Sequence, residues 1–237
     1  MVSALERLPD RATPIAIDRP GWDGTSWPRD LAGNAAAALA TLDARGIERA
    51  TVVGHSLGAA IAAWLAAHHP ERVTALVLAA PAANLASLEW LDRWLTLPLA
   101  GALTSAASLT GLGLALSTAP LRQRIARSSA LDEEYLRTAG RALLSAHVRR
   151  AFDTEQRALV RDLPVLEGRL AEVRAPTWIV TGAADRVVPA AAPRRLADQI
   201  AGARLVVLER AGHLLPQLHA RRVTETIEVA LSAGATD

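Results

Sequence analysis

Residues 51–60 read TVVGHSLGAA, a short β-branched segment that runs through Gly-His-Ser-Leu-Gly into an alanine-rich stretch. This pattern between a strand and a helix is typical of a nucleophile elbow, a strained turn that presents a serine hydroxyl. We predict that Gly54 and Gly58 are both required, because a Cβ at either position would collide with the neighbouring strand or helix. The backbone N–H of Leu57, at the start of the new helix, is predicted to stabilise an oxyanion. The stretch therefore predicts Ser56 as a nucleophile.

Two later segments carry the acid and the base that a serine nucleophile needs. Residues 175–189 predict a strand followed by a turn that carries Asp185, and residues 205–208 predict the next strand, whose exit loop carries His213. Side chains that follow the carboxyl ends of parallel strands meet at one edge of the sheet. A lone aspartate there could be a turn former and a lone histidine a solvated side chain, but their joint order is more specific. We predict that His213 accepts the proton of Ser56 while Asp185 holds the other ring nitrogen.

The rest of the chain alternates apolar strand-like and helix-like segments, which predicts an α/β fold: a mostly parallel sheet with helices on both faces. Residues 73–78 are continuously apolar, as in a strand that is buried on both faces, and residues 214–231 predict one closing helix. The alternation stops in the middle of the chain. We therefore predict a core formed by residues 1–84 and 166–237, interrupted by a helical cap at residues 85–165.

The predicted cap is notably apolar. Trp90 and Trp94 are four residues apart and share a helix face, where they either pack in the core of the cap or line a substrate pocket. We name both, together with His55, as candidate substrate-binding residues; the alternative for His55 is that its side chain supports the site without acting in it. Residues 94–121 contain no charged side chain. Residues that interrupt helices divide this segment, so we predict a pair of short helices and not a membrane span. The interrupting residues are Pro98, Gly101, Gly111 and Gly113.

Composition excludes several classes of function. The 237 residues include no cysteine, which removes disulfides and thiolate metal sites, and the histidines lack the spacing of a metal pair. The basic residues are all arginine, yet the net charge is only +2, so we expect no nucleic-acid partner. We expect no metal, no cofactor, no membrane partner and a cytoplasmic location. The oligomeric state does not follow from the sequence.

Five segments of the chain resemble the α/β-hydrolase superfamily, of the kind with a helical cap. They are residues 17–26 (IDRPGWDGTS), 54–58 (GHSLG), 70–73 (PERV), 182–189 (GAADRVVP) and 212–213 (GH). The resemblance implies an α/β-hydrolase fold with an inserted cap, and serine-hydrolase chemistry. A serine at position 56 argues against the relatives that resemble haloalkane dehalogenases and epoxide hydrolases, which use an aspartate there.

The superfamily also begins with further strands and a loop, and no stretch that resembles them precedes Asp18. In the superfamily, a loop after the third strand carries a His-Gly motif whose neighbourhood donates the other oxyanion N–H. Residues 15–17 would be the fourth strand, and the third would lie between it and the elbow strand. We expect either that the protein begins upstream of Met1 or that it is an impaired relative. We also expect this chain to be poorly soluble and at least about a hundredfold slower than an extended one.

These features predict a serine hydrolase (esterase-like) that acts on a small, largely apolar ester, thioester or related acyl substrate through an acyl-enzyme on Ser56. The same triad can also support C–C bond hydrolysis, a cofactor-free lyase step or haloperoxidase-like chemistry. A second hypothesis, from another class, is a catalytically impaired binding homologue. The substrate itself depends on how the side chains of the cap are arranged, which the sequence does not specify.

Overall fold

Four parallel strands form the sheet in a computed structural model, which describes residues 7–9 and 12–234. The strands are β1 (Ala50–His55), β2 (Val73–Ala79), β3 (Thr177–Gly182) and β4 (Arg204–Leu208), and they lie side by side in this order. Leu78 of β2 pairs with Gly54 on one side and with Ile179 on the other. The predicted parallel sheet is confirmed, and the carboxyl ends of its strands share one edge.

Ten α-helices occur in the described part of the chain. They are α1 (Leu31–Asp43), α2 (Leu57–His68), α3 (Trp90–Leu95), α4 (Ala100–Ser117), α5 (Ala119–Ser129), α6 (Glu133–Leu144), α7 (Ala146–Glu167), α8 (Ala191–Gln199), α9 (Leu215–Leu218) and α10 (Ala220–Gly234).

Helices cover both faces of the sheet, as predicted. On one face, Val77 of β2 and Val180 of β3 pack in the same buried cluster as Val223 and Ile227 of α10. Side chains alternate along a strand, so the fully buried Leu78 points to the other face, where α2 lies against β1 and β2. Burial on both faces explains why the sequence of β2 is continuously apolar.

Two of the expected elements differ in the structure. Residues 15–17 form no strand, and Ile17 is exposed, because no described strand lies beside them to accept their backbone hydrogen bonds. The fourth-strand assignment is therefore wrong. The single closing helix is also wrong, since α9 and α10 are separate helices with His219, in a non-helical conformation, between them.

The apolar segment of the predicted cap contains one long helix instead of short pieces. Helix α4 continues through Gly111 and Gly113. A Cβ on Gly113 would lie 3.0 Å from the carbonyl oxygen of Gly140 in α6, and a Cβ on Gly140 would lie 2.8 Å from the side chain of Leu116. Glycine at these positions allows the two helices to pack closely, so it does not end the helix as the sequence suggested.

The chain divides into two compact units. The first combines Met1–Ile17, Leu31–Glu89 and Arg161–Asp237 and contains the sheet, and the second combines Asp18–Asp30 with Trp90–Val160. The cap boundaries predicted above, residues 85–165, stay a prediction.

A buried carboxylate joins the two segments of the second unit. Glu155 of α7 accepts hydrogen bonds from Arg19 Nε (2.6 Å), Arg19 Nη2 (3.1 Å) and Trp22 Nε1 (2.8 Å). The Arg19 guanidinium also lies over the ring of Trp22, 5.0 Å from its centroid. We call these three residues the Glu155 clasp. Because a buried charge is costly unless it is paired, the clasp holds residues 18–30 to α7.

Candidate active site

Ser56 occupies the sharp turn between β1 and α2. Its backbone has φ 55° and ψ −122°, a region that residues with a Cβ rarely adopt. The surrounding chain holds it there: the Ser56 N–H donates to the Ala79 carbonyl oxygen (3.0 Å), and the Ser56 carbonyl oxygen accepts from the Ala59 N–H (2.9 Å). The structure thus forms the elbow that the sequence predicts.

The two glycines of the elbow are not equivalent. A Cβ on Gly54 would lie 2.3 Å from the carbonyl oxygen of Gly58 and 2.6 Å from the Cα of Ala59, so the start of α2 can approach β1 only at a glycine. A Cβ on Gly58 would meet nothing within 4 Å. The prediction that both glycines are sterically required is correct for Gly54 and wrong for Gly58.

Asp185 lies in the turn after β3, where its carboxylate is almost fully buried. One oxygen, Oδ1, accepts from the backbone N–H groups of Val187 (2.8 Å) and Val188 (3.0 Å), and Oδ2 lies 2.9 Å from His213 Nδ1. Burial alone would raise the pKa of Asp185, but the hydrogen bonds from His213, Val188 and Val187 outweigh it, and the net pKa is lowered. The carboxylate is therefore ionised at neutral pH and accepts the proton on Nδ1.

His213 follows β4 and connects the other two residues. Its Nε2 lies 3.0 Å from Ser56 Oγ. Because Nδ1 donates to Asp185, the neutral ring has a free lone pair on Nε2, which can accept the serine proton. The loops that carry Asp185 and His213 are joined by the Ala184 N–H, which donates to the Ala211 carbonyl oxygen (3.0 Å). The structure thus brings Ser56, Asp185 and His213 together as the sequence order suggested.

His55 contacts the backbone of the histidine loop. Its Nε2 lies 2.9 Å from the His213 carbonyl oxygen, and the two rings are 5.0 Å apart. A carbonyl oxygen only accepts, so His55 Nε2 donates. Burial lowers the pKa of His55 from 6.5 to about 4, against the opposing effect of this hydrogen bond. His55 is therefore neutral at pH 7 and supports His213, a contact that no sequence pattern indicates. The substrate-binding role predicted for His55 stays a prediction.

The low pKa of His55 makes stability depend on pH. Between pH 6.5 and about 4, His55 stays neutral in the folded protein but takes up a proton in the unfolded chain, so the free energy of unfolding falls as the pH falls. From pH 7 to pH 4, we expect the wild type to lose about 3 kcal/mol more than His55→Gln. Urea unfolding at a series of pH values measures this.

His55→Gln is a suitable reference because its amide nitrogen can replace Nε2 as the donor to His213. It has no titrating group at this position, so the comparison isolates the ionisation of His55. Parallel pH profiles of unfolding free energy for the two proteins would contradict the assignment of a neutral, buried His55.

Three further predicted residues are located as follows. Leu57 is the first residue of α2, where the backbone N–H has no acceptor within the helix. Trp90 and Trp94 lie on α3 in the second unit and are exposed, and Trp94 Nε1 donates to Thr104 Oγ1 at 3.3 Å. Their roles at the site stay predictions. Over residues 7–9 and 12–234, no group of three or more histidine or carboxylate side chains could hold a metal ion.

Comparison with known proteins identifies relatives over most of the chain. Residues 1–220 match the family model of the alpha/beta hydrolase fold. The chain is 33% identical over 217 residues to a 2-hydroxy-6-oxononadienedioate/2-hydroxy-6-oxononatrienedioate hydrolase of Pseudomonas putida, covering 87% of this chain and 72% of that protein. It is 28% identical over 218 residues to a pimeloyl-[acyl-carrier protein] methyl ester esterase of Neisseria meningitidis serogroup C, covering 88% and 79%.

A solved structure agrees with these matches. The crystal structure of a hydrolase from Pseudomonas aeruginosa superposes with a TM-score of 0.66 and 29% sequence identity, covering 90% of this chain and 77% of the other. The parallel sheet, the serine elbow and the matched family model lead to the same assignment. The chain belongs to the α/β hydrolase fold family, and it is an enzyme of the hydrolase class.

Proposed function

We propose that the protein is a serine hydrolase of carboxylic esters or related acyl compounds, and that Ser56, His213 and Asp185 are its catalytic residues. One observation carries this proposal: Ser56 Oγ, the His213 ring and the Asp185 carboxylate are linked by hydrogen-bond distances of 3.0 Å and 2.9 Å. A serine hydroxyl is a weak nucleophile unless a base of this kind removes its proton.

In the proposed reaction, Ser56 Oγ attacks the acyl carbon of the substrate while His213 Nε2 takes the serine proton. The carbonyl oxygen becomes an oxyanion, which accepts a hydrogen bond from the Leu57 N–H at the positive end of α2. The tetrahedral intermediate then expels the alkoxide, which leaves as an alcohol with the proton from His213. Water, activated by His213, hydrolyses the acyl-serine and regenerates the hydroxyl.

Asp185 acts through His213. Its ionised carboxylate keeps the proton on Nδ1, so that Nε2 faces Ser56 as a base, and it stabilises the imidazolium that forms in each step. The two N–H groups from Val187 and Val188 orient the carboxylate itself. The arrangement thus has a nucleophile, a base and an orienting acid, each held by its own loop.

The relatives suggest two substrate classes. The Neisseria relative is named for a methyl ester, and the Pseudomonas putida relative for an oxo-dienedioate, which carries two carboxylates. We favour the ester for this chain because its hydrolysis needs only the acyl transfer that Ser56, His213 and Asp185 can supply. The oxo-dienedioate is the second candidate.

A fluorophosphonate probe and a substrate panel test the proposal. We expect the probe to label Ser56, since it reacts with activated serines, and p-nitrophenyl esters to be hydrolysed. If an apolar pocket binds the acyl chain, kcat/KM rises about fourfold per added methylene, which corresponds to ~0.8 kcal/mol, until the pocket is full. Labelling at another residue, or hydrolysis of the oxo-dienedioate alone, would contradict the ester assignment.

A further inference from the structure

The reaction steps proposed above do not use an exposed apolar surface of the second unit, which includes the candidate substrate-binding residues Trp90 and Trp94. Six large side chains of α3, α4 and the loop between them form it, and we call them the apolar face: Trp90, Trp94, Leu97, Leu99, Leu103 and Leu114. Trp90, Leu99 and Leu103 are each at least 70% exposed. Soluble monomers rarely expose a contiguous apolar patch of this kind without a binding function.

Contacts between α3 and α4 place Trp94 beside the first turns of α4. Trp94 Nε1 donates to Thr104 Oγ1, and the close approach of Gly101 to the Leu95 carbonyl oxygen sets the first turn of α4 against the end of α3. Leu103 and Leu114 are eleven residues apart, which places them on the same side of α4 at 3.6 residues per turn.

Helix α4 is mostly exposed, and exposed Leu112 lies on the side opposite Leu103. The buried residues of α4 are Gly101, Ser105, Gly113 and Leu116. The helix is the one in the described part of the chain that is long and apolar enough to cross a membrane. However, Ser105 donates to the carboxylate of Asp153 and Gly113 packs on α6, so one side is committed to protein contacts. A helix held by these contacts suits a position in the plane of a membrane surface, with Leu103 and Leu114 toward the lipid.

The charges beside α3 are mixed, with Glu89, Asp92 and Arg93 next to the tryptophans, and those on the α5 side of the apolar face are positive. Between Asp92 and Asp132 the chain has no acidic residue and four arginines, at positions 93, 122, 124 and 127. Arg124 and Arg127 lie exposed on α5, which packs against α4. The acidic residues that begin α6 are engaged locally: Asp132 caps the helix, Glu133 accepts from Arg122 and Glu134 pairs with Arg137. Arginines beside an exposed apolar helix match an anionic lipid surface.

We propose that the apolar face docks on the surface of an anionic lipid bilayer. The two tryptophans then lie at the headgroup level, the leucines of α4 enter the acyl boundary, and Arg124 and Arg127 face the lipid phosphates. Self-association through the same face is the alternative that the experiment below separates from lipid binding. The proposal replaces the expectation, drawn from the sequence, that no membrane partner exists.

Cosedimentation with lipid vesicles tests the proposal. We expect the wild-type protein to bind vesicles of mixed phosphatidylcholine and phosphatidylglycerol, and the double variant Leu103→Gln, Leu114→Gln to bind at least about tenfold more weakly. The matched control is Val229→Gln, which replaces a half-exposed valine on α10 in the first unit and leaves binding unchanged. All variants should keep the wild-type Tm, because the changed side chains are exposed.

Charge provides an independent arm of the experiment. Arg124→Gln with Arg127→Gln should weaken binding to the mixed vesicles several-fold and remove most of its salt dependence, without changing the weaker binding to pure phosphatidylcholine. Failure of the wild type to bind mixed vesicles would overturn the proposal. So would a dimer, seen by sedimentation velocity, that the leucine variant dissociates. Hydrolysis of a soluble ester is measured without vesicles and does not depend on lipid binding. A failure of the membrane proposal can therefore be distinguished from a failure of the proposed function.

Discussion

Ser56→Ala should lower kcat for ester hydrolysis by about 10⁴- to 10⁶-fold while the protein stays folded. Without the hydroxyl, His213 has no proton to accept and no acyl-enzyme can form. The remaining rate over water would come from the Leu57 N–H and from substrate binding alone. The measurement is the steady-state rate with a p-nitrophenyl ester, together with the urea midpoint of unfolding to show that the fold is intact.

Ser56→Gly serves as the matched control for this variant. It also lacks the hydroxyl, so it should be equally inactive, but glycine adopts φ 55° and ψ −122° without strain. We expect the free energy of unfolding of Ser56→Gly to exceed that of Ser56→Ala by about 1 kcal/mol. Ser56→Gly should therefore unfold at a higher urea concentration. Substantial activity in either variant would show that Ser56 is not the nucleophile, whatever their stabilities.

The second large effect is on the free energy of unfolding, and it is expected to differ between the two glycines of the elbow. Gly54→Ala should destabilise the protein by more than about 3 kcal/mol, because its Cβ would lie 2.3 Å from the Gly58 carbonyl oxygen and backbone atoms must move. Gly58→Ala should be neutral or stabilising by up to about 1 kcal/mol, since it adds a helix-favouring residue to α2 in open space. Urea unfolding measures both.

This comparison is internally controlled, because the same chemical change is made four residues apart in one turn. An equal loss of stability in the two variants would mean that the elbow is sensitive to any added methyl group and not to the specific approach of α2 to β1. A stable Gly54→Ala protein would contradict the backbone geometry at the end of β1.

The sequence predicted the parts of the site that depend on the order of strands. In a parallel sheet the strand ends share one edge, so Ser56, Asp185 and His213 could be expected to meet there from their positions after predicted strands. The contacts that orient them were not predictable. The two N–H groups on Asp185 come from a local turn, and the hydrogen bond from His55 to the His213 carbonyl joins residues 158 apart in the chain.

The errors in the predicted fold have a common physical origin, because the sequence does not show which segments lie next to one another in space. Residues 15–17 are β-branched enough to be a strand, but a strand also needs a partner, and none lies beside them among the described residues. The sequence predicts that Gly113 interrupts a helix, whereas in α4 it allows contact with Gly140. A glycine can be needed because another segment approaches closely or because the backbone has a positive φ angle, and only the structure distinguishes the two causes.

The Glu155 clasp determines how this enzyme can be recombined with its relatives. If residues 90–160 alone are moved into a host that lacks Arg19 and Trp22, Glu155 loses its hydrogen-bond donors. A buried carboxylate that loses its cation costs about 3–5 kcal/mol, a large share of the stability of a typical domain. A chimaera should therefore transfer residues 18–30 together with residues 90–160, since the clasp joins these two segments, distant in sequence, in one compact unit.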